Sequence, residues 1–124
     1  MTKILVYGTL RPGCGAYKGF GLDTKSNHVA TVRIEGSMYH LGGFPGVKLD
    51  GRPEGFVCDL LELTDPDVLA RLDTYEGYRP ETPFNSLYLR KEIKVPDHGA
   101  AYIYEYNDQV GDRALVESGD WKTA

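Results

Sequence analysis

The sequence predicts a single α+β domain, built mainly from short strands and carrying one main helix. Three observations lead there. Short apolar, β-branched runs are separated by turns containing glycine or proline, which is the punctuation of a strand-rich body. One segment alone, from Asp65 to Gly77, combines a helix start signal, a helical apolar stripe and a glycine stop. Fifteen glycines and nine tyrosines among 124 residues point to many turns, and to sheet faces or a cavity lined by rings that keep a polar handle. A chain of this length buries one core, so residues 1–124 are taken as one domain.

Taken in order, the chain opens with Ile4, Leu5 and Val6, strand formers that run straight into Tyr7-Gly8-Thr9-Leu10-Arg11-Pro12-Gly13. Gly8 lets the backbone turn or approach a ligand closely, and the amides of Thr9 and Leu10 then become free donors, the makings of an anion nest. A plain connecting turn is the alternative. No Gly-Lys-Ser/Thr follows and the G-x-G-x-x-G spacing is absent, so this is neither a P-loop nor a dinucleotide fingerprint. From Cys14 to Asn27 the absence of a period predicts a long irregular loop with room for one helical turn. It serves either as a wall or lid packed through Tyr17 and Phe20, or as a mobile surface excursion.

Strand character returns over Val29 to Leu41, broken at Gly36, and Leu41-Gly42-Gly43-Phe44-Pro45-Gly46 turns into another short strand. After the turn Asp50-Gly51-Arg52-Pro53, the run from Glu54 to Leu63 is apolar on both faces, which predicts a central strand. The helix is expected over Pro66 to Glu76, with Asp65 as N-cap, Pro66 at its first position, and Val68, Leu69, Leu72 and Tyr75 as a buried stripe. Gly77 stops it. A proline-rich excursion, Arg79 to Phe84, leads to a strand over Ser86 to Val95. Its alternation places Leu87, Leu89, Ile93 and Val95 on one face, and Tyr88, Arg90, Glu92 and Lys94 on the other. Pro96-Asp97-His98-Gly99 is a hairpin turn, so the return strand, Ala100 to Tyr106, should pair antiparallel and gather Tyr102, Tyr104 and Tyr106 on one face. In the tail Ser118-Gly119-Asp120-Trp121, the sole Trp is expected to clamp the end onto the body.

Composition excludes several functions. A net charge of −4 argues against a phosphate-tracking surface, so nucleic acid is not an expected partner. No apolar run is long enough to span a bilayer, and Met1-Thr2-Lys3 passes into a strand without a signal-peptide core, which predicts a cytoplasmic protein. Cys14 and Cys58 lie far apart and are expected as reduced thiols, a single disulfide being the alternative. His28, His40 and His98 lack zinc-ligand spacing, and no metal site is expected.

Glu76 does not suit its place in the helix. A carboxylate in the last turn faces the negative end of the macrodipole, a loss of roughly 0.3–1 kcal/mol at an exposed site. Tyr75 and Tyr78 flank it, and a poorly solvated site would raise its pKa toward neutrality, as a group that both takes and gives a proton requires. An exposed glutamate that tolerates its position is the plainer alternative.

Two motifs bring these features together. Tyr7-Gly8-Thr9-Leu10-Arg11-x-Gly13 and Leu72-Asp73-x-Tyr75-Glu76-Gly77 resemble the two signatures of the gamma-glutamylcyclotransferase-like family. The Leu-Gly-Gly-Phe-Pro-Gly turn, the Gly-Phe-Val-Cys-Asp-Leu strand, Tyr88-x-Arg90, the Tyr102 to Tyr106 strand and Ser-Gly-Asp-Trp are similar to that family in type and order. The resemblance implies a small mixed β-barrel with helices outside, and an enzyme that needs no cofactor or metal. Its substrate would be a small γ-glutamyl amine or peptide, cyclised to 5-oxoproline with release of the amine. On these positions it implies Glu76 as catalytic acid/base. The amides of Gly8, Thr9 and Leu10 would hold either the substrate's α-carboxylate or the developing oxyanion, with Tyr7 lining the pocket and the Tyr88 hydroxyl at the substrate. Arg11 could attract the carboxylate but is expected at the surface beside the loop; Tyr104 is the sheet tyrosine expected to reach a cavity. Cys14 to Lys25 and Arg79 to Asn85 depart from the family pattern near the expected mouth. Expected oligomeric state is monomer or weak dimer. Two rivals belong to other classes: a binding module that captures an amino-acid-like ligand without turnover, and an interaction protein using an exposed tyrosine patch.

Overall fold

The strand predicted as central is an interior strand of the sheet, with the central place itself taken by β1 (Lys3–Val6). In the computed structural model, which describes residues 2–123, the predicted strand forms as β5 (Phe56–Leu63) and pairs antiparallel with β1 on one side and β2 (Ser26–Ile34) on the other. The hairpin predicted around Pro96 to Gly99 joins β6 (Tyr88–Val95) to β7 (Gly99–Tyr106) in the register Val95↔Gly99 to Tyr88↔Tyr106. β7 lies parallel to β1, which completes a five-stranded mixed sheet in the order β2-β5-β1-β7-β6. A separate antiparallel ribbon, β3 (Ser37–His40) and β4 (Pro45–Lys48), does not join that sheet through a ladder. The architecture is thus α+β, a curved mixed sheet plus ribbon with helices outside, whose strands do not close into one hydrogen-bonded ring.

Alternation along the strands divides the interior into two cores. Leu5, Phe56, Cys58, Leu60 and Ile103 face one side, with Met38 and Val47 from the ribbon. Ile4, Val6, Leu61 and Leu63 face the other, where α3 (Asp67–Tyr75) inserts Val68 and Leu72. Because β5 contributes fully buried side chains to both, its two-sided apolar pattern follows from its interior place in the sheet, flanked by β1 and β2.

The main helix is one residue shorter at each end than the sequence suggests. The Asp65 carboxylate accepts from the Asp67 amide at 3.0 Å, so it caps the helix from one position further out, with Pro66 already helical in φ and ψ. Tyr75, expected on the buried stripe, is 51% exposed: it is the last helical residue, and its ring leans on Phe20 edge-to-face at 4.9 Å. Leu87 likewise is exposed, standing just before β6 where the chain is tied to the end of α3.

The expected loop from Cys14 to Asn27 folds into two short helices, α1 (Gly15–Gly19) and α2 (Leu22–Lys25), and β2 begins at Ser26. Gly21, at φ +74°, turns the chain between them, and fully buried Leu22 pins the pair to the second core. The tail is clamped. Gly119 accepts from the Val57 amide at 2.7 Å, and Trp121 packs against the first core with its ring 5.3 Å from that of His40. Cys14 and Cys58 are free thiols. Of the strand tyrosines expected on one face, Tyr104 and Tyr106 are buried and Tyr102 is half-buried, so they are not exposed together as the interaction-protein reading requires. Among the described residues, no helix is long and apolar enough to cross a membrane.

Candidate active site

β1 ends by delivering Tyr7 into the interior and then turning. The Arg11 amide donates to the Gly8 carbonyl at 3.1 Å, and the Thr9 carbonyl accepts from Ala16 at 3.1 Å. Carbonyls are thereby consumed in holding the turn. The amides of Gly8, Thr9 and Leu10 form no hydrogen bond with any acceptor among the described residues, and all three residues line a cavity of about 430 Å³. That volume suits a small molecule. Gly8 is required for a reason the sequence left open: a Cβ there would lie 2.9 Å from Pro45 Cγ, so the close approach is to the protein's own loop.

Arg11 corrects its expected surface position. It is 4% exposed, and its guanidinium donates to Asp59 at 2.7 Å and to Asp120 at 2.6 Å. Burial alone would raise the Asp59 pKa, but hydrogen bonds from Arg11, Thr31 and His28 outweigh it and hold the carboxylate below its ordinary value. Arg11 does not line the cavity. It fastens the turn to β5 and the tail, while the Lys122 ammonium reaches the Pro12 carbonyl at 2.7 Å.

Among the described residues lining the cavity, Glu76 is the one carboxylate. Glu76 caps the C-terminus of α3, and two bonds close the helix behind it: Gly77 N–H to Thr74 O at 3.2 Å and Tyr78 N–H to Asp73 O at 2.8 Å. This is a Schellman stop, and it needs Gly77 at φ +70°. The Gly77 carbonyl then accepts from the Leu87 amide at 3.0 Å, tying the acid's segment to the start of β6. No described residue forms a hydrogen bond or ion pair with the Glu76 carboxylate. Desolvation therefore acts unopposed and pushes its pKa up from 4.5 to about 7.

The residues expected as catalytic or substrate-binding all line this cavity, Tyr7, Gly8, Thr9, Leu10, Glu76 and Tyr88, with Tyr104 beside them. The tyrosine hydroxyls are held by the protein. Tyr7 donates to the Tyr104 carbonyl at 2.5 Å and Tyr88 to the Pro45 carbonyl at 2.7 Å. Burial first, and the nearby Glu76 carboxylate among the lesser causes, raises both well above the ordinary tyrosine value, so both stay protonated. Tyr88 thus offers the cavity lone pairs, its proton being committed to Pro45.

Sequence reasoning missed two contributors. Asp73, one turn before Glu76, accepts from Tyr104 Oη at 2.6 Å and from Arg90 Nη1 at 2.7 Å, locking the last turn of α3 onto β6 and β7. Arg90 also stacks over the Tyr102 and Tyr78 rings, at 4.8 and 5.4 Å. The signal was present in Asp73 within the second motif and in Tyr88-x-Arg90. The other is the Gly43-Phe44-Pro45 turn, which forms one wall. Neither segment that departs from the family pattern lines the cavity: Tyr17 and Phe20 pack on the second core, and no residue of 79–85 is in the lining.

Comparison with known proteins decides the family. The sequence pattern of the gamma-glutamyl cyclotransferase, AIG2-like family matches residues 4–123. The chain belongs to that family. Among gamma-glutamylcyclotransferase family proteins, YtfP of Escherichia coli K12 is 32% identical over 121 residues, spanning 96% of this chain and 95% of that one. The solution structure of Escherichia coli YtfP superposes with a TM-score of 0.68 at 26% identity, over 97% of this chain and 96% of its own. An uncharacterized protein from Pyrococcus horikoshii shares the fold, with a TM-score of 0.74 at 19% identity, over 99% and 92% of the two chains.

Proposed function

We propose that the protein is a cofactor-independent cyclotransferase, which converts a γ-glutamyl amine or peptide into 5-oxoproline and the free amine. One observation carries this: a carboxylate with a pKa of about 7 shares a cavity with three unpaired backbone amides. An acid/base that serves both directions of proton transfer works best near the operating pH, and burial puts Glu76 there.

The substrate's α-ammonium first loses a proton to Glu76. The amine nitrogen then attacks the substrate's own γ-carbonyl carbon, forming the ring C–N bond and placing negative charge on the oxygen. As the tetrahedral centre collapses, the bond to the leaving nitrogen breaks, and Glu76 returns its proton to that nitrogen. Attack leaves the ring nitrogen with one proton too many; it gives that proton to the Glu76 carboxylate, freed by the donation to the leaving nitrogen, and Glu76 passes it to the released amine, so two protons move from attacking to leaving nitrogen and the products are 5-oxoproline and an ammonium ion. The Gly8, Thr9 and Leu10 amides suit an anion, either the α-carboxylate or the developing oxyanion. The Tyr88 oxygen, its own proton given to Pro45, suits the ammonium as an acceptor.

The test offers γ-glutamyl amines, γ-glutamyl dipeptides and glutathione to the wild-type chain and to Glu76→Gln, and measures 5-oxoproline by chromatography. Turnover by the wild type and its loss in a folded Glu76→Gln protein is expected. Retained turnover in the variant removes Glu76 from the mechanism. Binding without product from any substrate points to a capture module.

A further inference from the structure

The cavity has a buried floor and an exposed rim, and the two differ in chemistry. The floor is set by Leu10 and the buried rings of Tyr7, Tyr88 and Tyr104, with half-buried Glu76, Gly8 and Thr9 lining the cavity beside them. At the rim, Phe44, Tyr75 and Leu87 are 42, 51 and 48% exposed. These are three of the five large hydrophobic side chains exposed among the described residues, and all three stand around one opening. Scattered exposed apolar residues need no explanation, but a cluster around a pocket mouth marks a contact surface.

Among the described residues, no lysine, arginine or histidine lines the cavity. Arg71 lies over the face of Phe20, the ring on which Tyr75 leans, and Arg90 is paired with Asp73. The site therefore has one place suited to an anion, the amides, and one proton-transfer group.

Resting on the cyclotransferase reading, we propose that the protein's substrates are γ-glutamyl amides of apolar or aromatic amines, with the amine seated between Phe44, Tyr75 and Leu87. Ring closure requires the glutamyl chain to fold back on itself at Glu76 and the amides, so the glutamyl group occupies the floor. Its γ-carbonyl then directs the leaving amine outward through the mouth. There an apolar group exchanges water for Phe44, Tyr75 and Leu87. A leaving amine carrying a carboxylate, as in glutathione, or a free ammonium and carboxylate, as in γ-glutamyl-ε-lysine, brings charge to a rim that has no counter-charge to replace its hydration.

The experiment compares kcat/KM of the wild-type chain for γ-glutamyl-phenethylamide, glutathione and γ-glutamyl-ε-lysine, followed by 5-oxoproline release. A hydrophobic pocket distinguishes about tenfold or more per apolar group, so the phenethylamide should lead by at least about tenfold. Phe44→Lys, at a half-exposed turn position, should shrink that lead and raise kcat/KM for glutathione. A preference for glutathione or γ-glutamyl-ε-lysine, or a lead that Phe44→Lys leaves untouched, overturns the substrate assignment while the cyclotransferase reading stands. Absence of 5-oxoproline from all three defeats that reading and the assignment with it.

Discussion

Glu76→Gln should make the protein more stable as pH rises above 4.5, with the full gain reached above about pH 7. The perturbation removes a titrating group from a desolvated site while keeping its shape. In the folded protein burial raises the Glu76 pKa from 4.5 to about 7, with no hydrogen bond or cation to offset the cost of its charge. Folded Glu76 therefore holds its proton more tightly than unfolded Glu76. Its contribution to stability is fully present below about pH 4.5 and is lost as pH rises through about 7. The interval from 4.5 to about 7, at about 1.36 kcal/mol per pH unit, amounts to on the order of 3 kcal/mol. Gln carries no such penalty. Denaturant titrations of both proteins from pH 4.5 to 8.5 should show nearly equal stabilities at the acid end, and a variant more stable by about 3 kcal/mol at the alkaline end. For a chain of 124 residues that is a rise in Tm of roughly 10 °C. A difference that does not change with pH, or a wild type that is the more stable at pH 8, would refute the reasoning that Glu76 is desolvated and unpaired.

The buried network behind the donor turn predicts a large opposite effect. Arg11→Met should cost about 3–5 kcal/mol, read by urea denaturation, because it strips Asp59 of its guanidinium inside the protein. Pairing it with Asp59→Leu should recover part of the loss; an additive double variant would contradict the coupling. Asp73→Ala should lower kcat about tenfold to a hundredfold with little change in KM, since it frees the turn that holds Glu76 in place. Asp73→Asn, which still accepts from Tyr104, should recover part of that activity, and an unchanged kcat in Asp73→Ala would separate the network from the placement of the acid.

Much of the fold was legible because its signals are local. The two-sided apolar pattern of 56–63, the alternation across the 88–106 hairpin and the stop at Gly77 each require their structure in place. The stretch from Cys14 to Lys25 was not legible, since its two short helices depend on one side chain, Leu22, reaching a core built by distant strands. Tyr75 and Leu87 fit buried periods yet are exposed, because periodicity reports a face and cannot report where the sheet ends and a cavity begins. In the site, Tyr7 to Leu10 and Glu76 were readable as candidates, and their shared cavity was a question only the tertiary structure answers. Arg11 misled for a related reason: its partners, Asp59 and Asp120, lie 48 and 109 residues away in sequence.

The most direct test of the central claim, that Glu76 is the proton-transfer group of a γ-glutamyl cyclisation, is the pH dependence of kcat/KM for 5-oxoproline release. The carboxylate form must take the proton, so activity should rise with pH and level off, with an acid limb centred near pH 7 where burial places Glu76. The limb and the turnover should both vanish in Glu76→Gln. An acid limb near pH 4.5, the value of an ordinary glutamate, or a profile that survives the substitution, would contradict the account.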